Sequence, residues 1–245
     1  MAQFNDMAWR RSLIEEITLN EGVYDPGIFK AVFMAGGPGS GKGYAAKTLL
    51  GMPETMPFVS GDGLKGVNSD SAYEAYLKAS GMSADMTKMS PEQFKKSQEL
   101  RTKAKRVTAK KFTGYVNSKL GLLIDGTAKD FGKIQKLYVK LQQQGYDCYM
   151  VFVNTDLDVA LANNMKRPRK VPVDIVKSAW QEVQGNLGKF QRLFGANSML
   201  VVDNSKREEF AKNVKQAAAE FVKRPIKNHI AKKWIKSELE YRRKN

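Results

Sequence analysis

Residues 28–50 read IFKAVFMAGGPGSGKGYAAKTLL. The run Ile28 to Ala35 is apolar on both faces apart from Lys30, the pattern of a parallel strand buried between helices. A glycine-rich stretch, Gly36–Gly43, follows it, and Tyr44 to Leu50 begin a helix. Gly36 to Lys42 satisfies G-x-x-x-x-G-K in the strand–loop–helix setting that this pattern requires. Glycines are needed because backbone N–H groups must wrap closely around phosphate oxygens, in part with positive φ. The helix N-terminus behind them adds a favourable dipole. Gly36, Gly37, Gly39, Ser40, Gly41, Lys42, Gly43 and Tyr44 are therefore the candidate nucleotide-binding residues, and Lys42 is expected to reach the β- and γ-phosphates of ATP.

One position departs from the pattern. The residue after the lysine is ordinarily a Ser or Thr that holds Mg²⁺, and here it is Gly43. Attention moves to Asp125, which closes the apolar run Leu122-Leu123-Ile124. A carboxylate at a strand end beside the loop is positioned for Mg²⁺ or its waters; the alternative is an ordinary turn aspartate.

Outward from the loop, strands and helices alternate. The second strand has two registers, Pro57 to Ser60 or Leu64 to Asn68. Residues 7–19 predict a short amphipathic helix, and 71–79 another, capped by Ser69 or Asp70. Ser90-Pro91-Glu92 opens a long helix running to about Leu120, because Pro suits a first helical position. Strands at 121–124, 147–154 and 198–202 alternate with helices at 131–144, 156–166, 173–194 and 207–223. The alternation predicts an α/β fold of the P-loop NTPase kind, with a five-stranded parallel sheet covered by helices on both faces. Residues 1–224 form the expected domain, with a helical insert at about 71–120 and a lid at about 163–172. A basic tail, 225–245, follows Pro225.

Composition narrows the chemistry. The chain has 245 residues, one histidine (His229) and one cysteine (Cys148). A Ser-His-Asp triad, a Cys-His pair and a His-rich zinc site are thereby disfavoured, and a carboxylate must do any base work. No run approaches the ~20 apolar residues of a membrane helix. The start does not resemble a signal peptide, so a cytoplasmic protein is expected. The formal charge is +16, and 95–119 contribute +8 and 223–245 contribute +7. Charge concentrated in this way points to a polyanion, with DNA the first candidate; the alternative is a solvated helix face and a solubilising tail. Arg101, Lys105 and Arg106, in the insert, are the candidate substrate contacts.

Transfer of a phosphoryl group to a hydroxyl needs a carboxylate to take the proton. Asp70 and Asp62 are the two candidates, and either can instead cap a helix or turn. Arg167 and Arg169 lie in the break between two helices. There they can close over ATP and neutralise charge on the transferred group.

The order of these stretches resembles the kinase branch of P-loop proteins that includes zeta toxins and polynucleotide 5′-hydroxyl kinases. It also resembles a group of tailed-phage P-loop proteins in which YDPGIFKAVF, GGPGSGK, LK-x-VNSD, GLLIDGT, VFVNT and VDN recur. The resemblance spans about residues 20 to 205. It implies Lys42 as phosphate clamp, Asp70 as base, and Arg167 and Arg169 as lid arginines. GGPGSGKG and VSGDGLK are also similar to nucleoside monophosphate kinases. That likeness would place Asp62 and Lys65 at the acceptor, although such kinases carry Thr where Tyr44 stands and Arg where Lys65 stands. Phage kinases of this branch phosphorylate 5-hydroxymethyluracil in DNA, so the resemblance implies a hydroxyl of nucleic acid as the acceptor, and host cytoplasm as the location if the chain is phage-encoded. The alternatives are a kinase for a small nucleotide or nucleotide sugar, and a nucleotide-binding DNA accessory protein without turnover, which Gly43 in place of Ser/Thr would suit.

Overall fold

The computed structural model describes residues 23, 25, 27–49, 63–205 and 207–244. The expected helix at 7–19, the strand register at 57–60 and Asp62 lie outside the described residues. In chain order the elements are β1 (Lys30–Ala35), α1 (Lys42–Leu49), β2 (Leu64–Val67), α2 (Asp70–Ala79), α3 (Pro91–Asn117), β3 (Gly121–Asp125) and α4 (Phe131–Gln143). They continue with β4 (Asp147–Asn154), α5 (Leu157–Lys166), α6 (Val173–Phe194), β5 (Met199–Asp203), α7 (Arg207–Lys223) and α8 (His229–Lys244).

The strands form one parallel sheet in the order β2-β3-β1-β4-β5. β1 is the central strand and is buried along its whole length. Side chains alternate across a strand, and here the alternation sorts β1 between two cores. Ala31, Phe33 and Ala35 face Val116 of α3, Leu141 of α4 and Val183, Phe190 and Phe194 of α6. Val32 and Met34 face Ala45 and Ala46 of α1 and Phe210, Val214 and Phe221 of α7. The apolar pattern on both faces of β1 is thus explained by helices on both sides. Lys30 is buried too, and its ammonium is satisfied by the carbonyls of Val222 and Arg224.

The second strand takes the register Leu64–Val67 and pairs with β3. α3 begins with a capping box. The Ser90 hydroxyl accepts from Gln93 N at 3.2 Å, and the Gln93 side chain accepts from Ser90 N at 3.0 Å. α2 and α3 pack through Tyr73, Leu77 and Ala104, so the insert carries a small core of its own. Within the basic tail of the sequence, 225–245, His229–Lys244 form α8, which packs against the main core. Trp234 meets Phe29 edge-on with ring centroids 5.5 Å apart. The Asp147 carboxylate accepts from Lys227 N at 2.7 Å and Asn228 N at 3.0 Å, anchoring the turn into α8. Among the described residues no helix is long and apolar enough to cross a membrane.

Candidate active site

The loop Gly36–Gly43 leaves the carboxyl end of β1, and its carbonyls are tied down by neighbouring elements. Ser40 O accepts from Thr155 Oγ1 at 3.0 Å and Asn204 Nδ2 at 2.8 Å, and Gly39 O accepts from Asn163 Nδ2 at 3.0 Å. Behind them, Trp180 Nε1 donates to Thr155 O at 2.7 Å and Gln184 Nε2 to Asn154 Oδ1 at 2.9 Å. α6 thereby braces the residues that brace the loop. Gly39 is required twice over: its φ is +80°, and a Cβ there would stand 2.0 Å from Ala160 O. At Gly43, by contrast, a Cβ would meet nothing within 4 Å among the described residues.

Lys42, the first residue of α1, donates to Asp125 Oδ1 at 2.8 Å. The Lys42 side chain is 15% exposed and that of Asp125 is 3%. A charge-assisted bond this sheltered is strong, and loss of one partner would cost about 3–5 kcal/mol. The other Asp125 oxygen, Oδ2, accepts from Asn68 Nδ2 at 2.5 Å. Asn68 follows β2, and its Oδ1 accepts from Asp70 N at 2.7 Å. This bond forms the turn into α2. Ser69, the residue at the N-cap, makes no side-chain cap bond.

Asp70 then points to the lid. Arg169 Nη2 donates to Asp70 Oδ2 at 2.8 Å, and Arg169 Nη1 lies 3.7 Å from Glu74 Oε1. That second separation is an ion pair without a hydrogen bond, and among the described residues buried Nη1 has no hydrogen-bond partner. Arg101 of α3 stands 4.0 Å from Asp70 Oδ1 and over the Tyr73 ring at 5.4 Å. Burial raises the Asp70 pKa, but Arg169 first, then Lys42 and Arg101, outweigh it and hold the carboxyl below its ordinary range. Arg169 is correspondingly held above its usual value, although burial opposes this. Arg167 is exposed at the rim, yet protein beside its guanidinium desolvates it, and with Arg169 this lowers its pKa; Asp70, Glu74 and Asp125 pull the other way.

Residues 167–172, within the stretch 163–172 expected to form a lid, are held on two further sides. Buried Asn164 donates to Val171 O at 2.8 Å and accepts from Val171 N at 3.1 Å. Met86 N donates to Lys170 O at 3.1 Å, and Lys170 Nζ is 3.9 Å from Asp85 Oδ2.

Lys42, Asp70, Arg101, Asp125, Arg167 and Arg169 are thus brought together at the carboxyl ends of β1, β2 and β3. Tyr44 lies beside the loop on α1, with its ring 6.0 Å from that of Phe210. Lys65, expected at the acceptor, is not brought there. It sits inside β2, 5% exposed, with its charge acting on Asp25 beside Gly63, toward the amino end of the sheet. Of the α3 cations, Lys105 lies one turn beyond Arg101. It shares a face with Thr108, whose hydroxyl is 3.4 Å from Asn68 O. Arg106 is exposed and stands about 140° around the helix from Arg101 at 100° per residue, away from the site. Asn68, Glu74, Thr155, Asn163, Asn164 and Asn204 were not in the candidate set. They are neutral or ordinary surface residue types whose roles depend on what folds against them.

A P-loop with its lysine against a strand-end carboxylate, and beside it an aspartate paired with Arg169, belongs to a phosphotransferase. The zeta toxin family profile matches residues 25–216, and the chain belongs to that family. Solved structures share the fold at low identity. One describes the PezAT chromosomal toxin–antitoxin system of Streptococcus pneumoniae: TM-score 0.50, 11% identity, covering 90% of this chain and 97% of that one. A putative kinase from Chloroflexus aurantiacus gives TM-score 0.51 and 13% identity, covering 78% and 97%. The AvrRxo1-ORF1:-ORF2 complex with ATP gives 0.57 and 15%, covering 81% of this chain and 61% of that one. No curated protein matches the chain.

Proposed function

We propose that the protein is an ATP-dependent kinase that transfers the γ-phosphoryl group to a hydroxyl of nucleic acid, either a hydroxymethylated base in DNA or a 5′-end. The observation that carries this reading is the placement of Asp70. It is an ionised carboxylate bonded to a lid arginine and linked through Asn68 to the carboxylate that pairs with Lys42. Lys42 would hold the β- and γ-phosphates. Asp70 would take the acceptor proton as its oxygen bonds to the γ-phosphorus and the bond to the β–γ bridging oxygen breaks, with ADP leaving. Arg169 and Arg167 would neutralise charge on the transferred group. Asp62 is the rival base in sequence terms and is outside the described residues.

The residues present fit Mg²⁺. In such sites the ion takes one or two carboxylates, phosphate oxygens and waters. Asp125 offers a carboxylate whose oxygens each retain acceptor capacity beyond their bonds to Lys42 and Asn68. Bound there, Mg²⁺ would neutralise charge on the phosphates. Position 43 adds no ligand.

A second reading, a kinase for a small nucleotide or nucleotide sugar, is favoured by the cation distribution. Arg101 borders the site, whereas exposed Arg106 stands on the other side of α3. Incubation with labelled ATP and a panel of acceptors separates the readings. Transfer to duplex DNA bearing hydroxymethyluracil, or to a 5′-hydroxyl end, lost in Lys42→Ala and Asp70→Asn, supports the first. Transfer to mononucleotides or nucleotide sugars alone would sink it in favour of the second. DNA binding that does not weaken with salt would contradict a phosphate-backbone contact.

A further inference from the structure

We propose that Asn68 is a positioning residue for phosphoryl transfer: its one side-chain amide ties the Asp125 carboxylate to the backbone of Asp70. This rests on the reading of Asp70 as base given above. The amide nitrogen donates to Asp125 Oδ2 at 2.5 Å, and the amide oxygen accepts from Asp70 N at 2.7 Å. Both directions are used, so neither an aspartate nor an alanine can replace it. Asn68 also sits under α3, whose Thr108 hydroxyl approaches its carbonyl at 3.4 Å. Asn68 thus joins the Lys42 partner Asp125, the start of α2 and the helix that carries Arg101.

The physical case is geometric. Asp125 has its Oδ1 on Lys42 and its Oδ2 on Asn68, so the plane of the carboxylate is fixed by two donors from different elements. Asp70 is the first residue of α2, and the Asn68 acceptor fixes the turn that aims it, since the Ser69 side chain makes no cap bond. A small error in the separation between a phosphate-side group and a proton acceptor is expensive in rate, because positioning is most of what the protein supplies in this chemistry. Partners that orient groups at the reacting centre typically carry about 10–100-fold in activity.

Steady-state kinetics of Asn68→Ala and Asn68→Asp, with melting temperatures, test the proposal on the full chain, with the wild type and Asp70→Asn alongside. Asn68→Asp keeps the acceptor for Asp70 N and the shape of the turn, while replacing the donor to Asp125 with a second carboxylate. Both variants are expected to lose about 10–100-fold in kcat, with KM for ATP within about twofold of wild type in Asn68→Ala, and Asn68→Asp is expected to melt below wild type, because a second carboxylate then faces buried Asp125. The proposal is overturned if either variant keeps kcat within about twofold, if the loss is in KM alone, or if Asn68→Asp recovers what Asn68→Ala loses. That recovery would make Asn68 a turn cap and nothing more. Failure of the underlying base reading shows separately, as full activity in Asp70→Asn, and failure of the kinase reading as no transfer by the wild type.

Discussion

Gly43 is the position where the loop departs from its usual wording and where the structure leaves room for a side chain. It is the second residue of α1, and a Cβ built on it meets nothing within 4 Å among the described residues. Its φ does not lie in the left-handed region, unlike those of Gly39 and Gly41, at +80° and +86°. A side chain at 43 therefore pays neither a steric nor a backbone penalty. Glycine in a helix is about 1 kcal/mol worse than alanine and about 0.5 kcal/mol worse than serine. In a chain of this size 1 kcal/mol moves the melting temperature by about 2–4 °C. Gly43→Ala should then melt about 2–4 °C higher than wild type, and Gly43→Ser about 1–2 °C higher. The serine also restores a hydroxyl where related loops hold Mg²⁺, so the Mg²⁺ concentration giving half-maximal transfer should fall in Gly43→Ser and stay put in Gly43→Ala. Thermal melts and a Mg²⁺ titration of the transfer rate read both effects. A lower melting temperature in both variants would refute the packing argument. An unchanged Mg²⁺ requirement in the serine variant would refute the expectation that a hydroxyl at position 43 reaches the metal.

Other consequences follow from the lid and the cradle. In Arg169→Gln, burial of Asp70 is no longer opposed by its principal cation, so its pKa rises. The acid limb of the kcat/KM profile should move to higher pH, and an unmoved limb would mean that Asp70 is not the group being titrated. Asn164→Ala strips both hydrogen bonds from Val171 in a buried position. It should destabilise the protein by about 2–4 kcal/mol, from two lost bonds and orphaned backbone groups, and speed limited proteolysis within 167–172; a change below about 0.5 kcal/mol in chemical denaturation would contradict this. Gly39→Ala puts a methyl group 2.0 Å from Ala160 O. Isothermal titration should show ATP binding weakened by at least tenfold, and wild-type affinity would show that the loop does not need this approach.

The sequence by itself determined the architecture. A strand apolar on both faces must be buried between helices, and a glycine loop followed by a helix can sit at only one end of it. Lys42, Asp125 and the lid arginines were therefore legible at the right end of the sheet. β4 and α6 were legible almost to the residue, because their apolar runs end in clear breakers. The second strand was ambiguous because both short runs carry similar signals. The pairing of Leu64–Val67 with β3 decides it. Only the tertiary structure could show that Lys65, basic and close to the motif in sequence, is drawn toward Asp25 at the other end of the sheet. The same holds for the α3 cations, which the sequence counts as one positive block and the helix spreads around its circumference. Asn68 and Glu74 gain meaning only when Asp125 and Arg169, distant in sequence, fold against them. The Gly43 substitution was visible as a missing ligand, but the open space beside it, which makes the loss reversible by one mutation, is a property of how α1 packs.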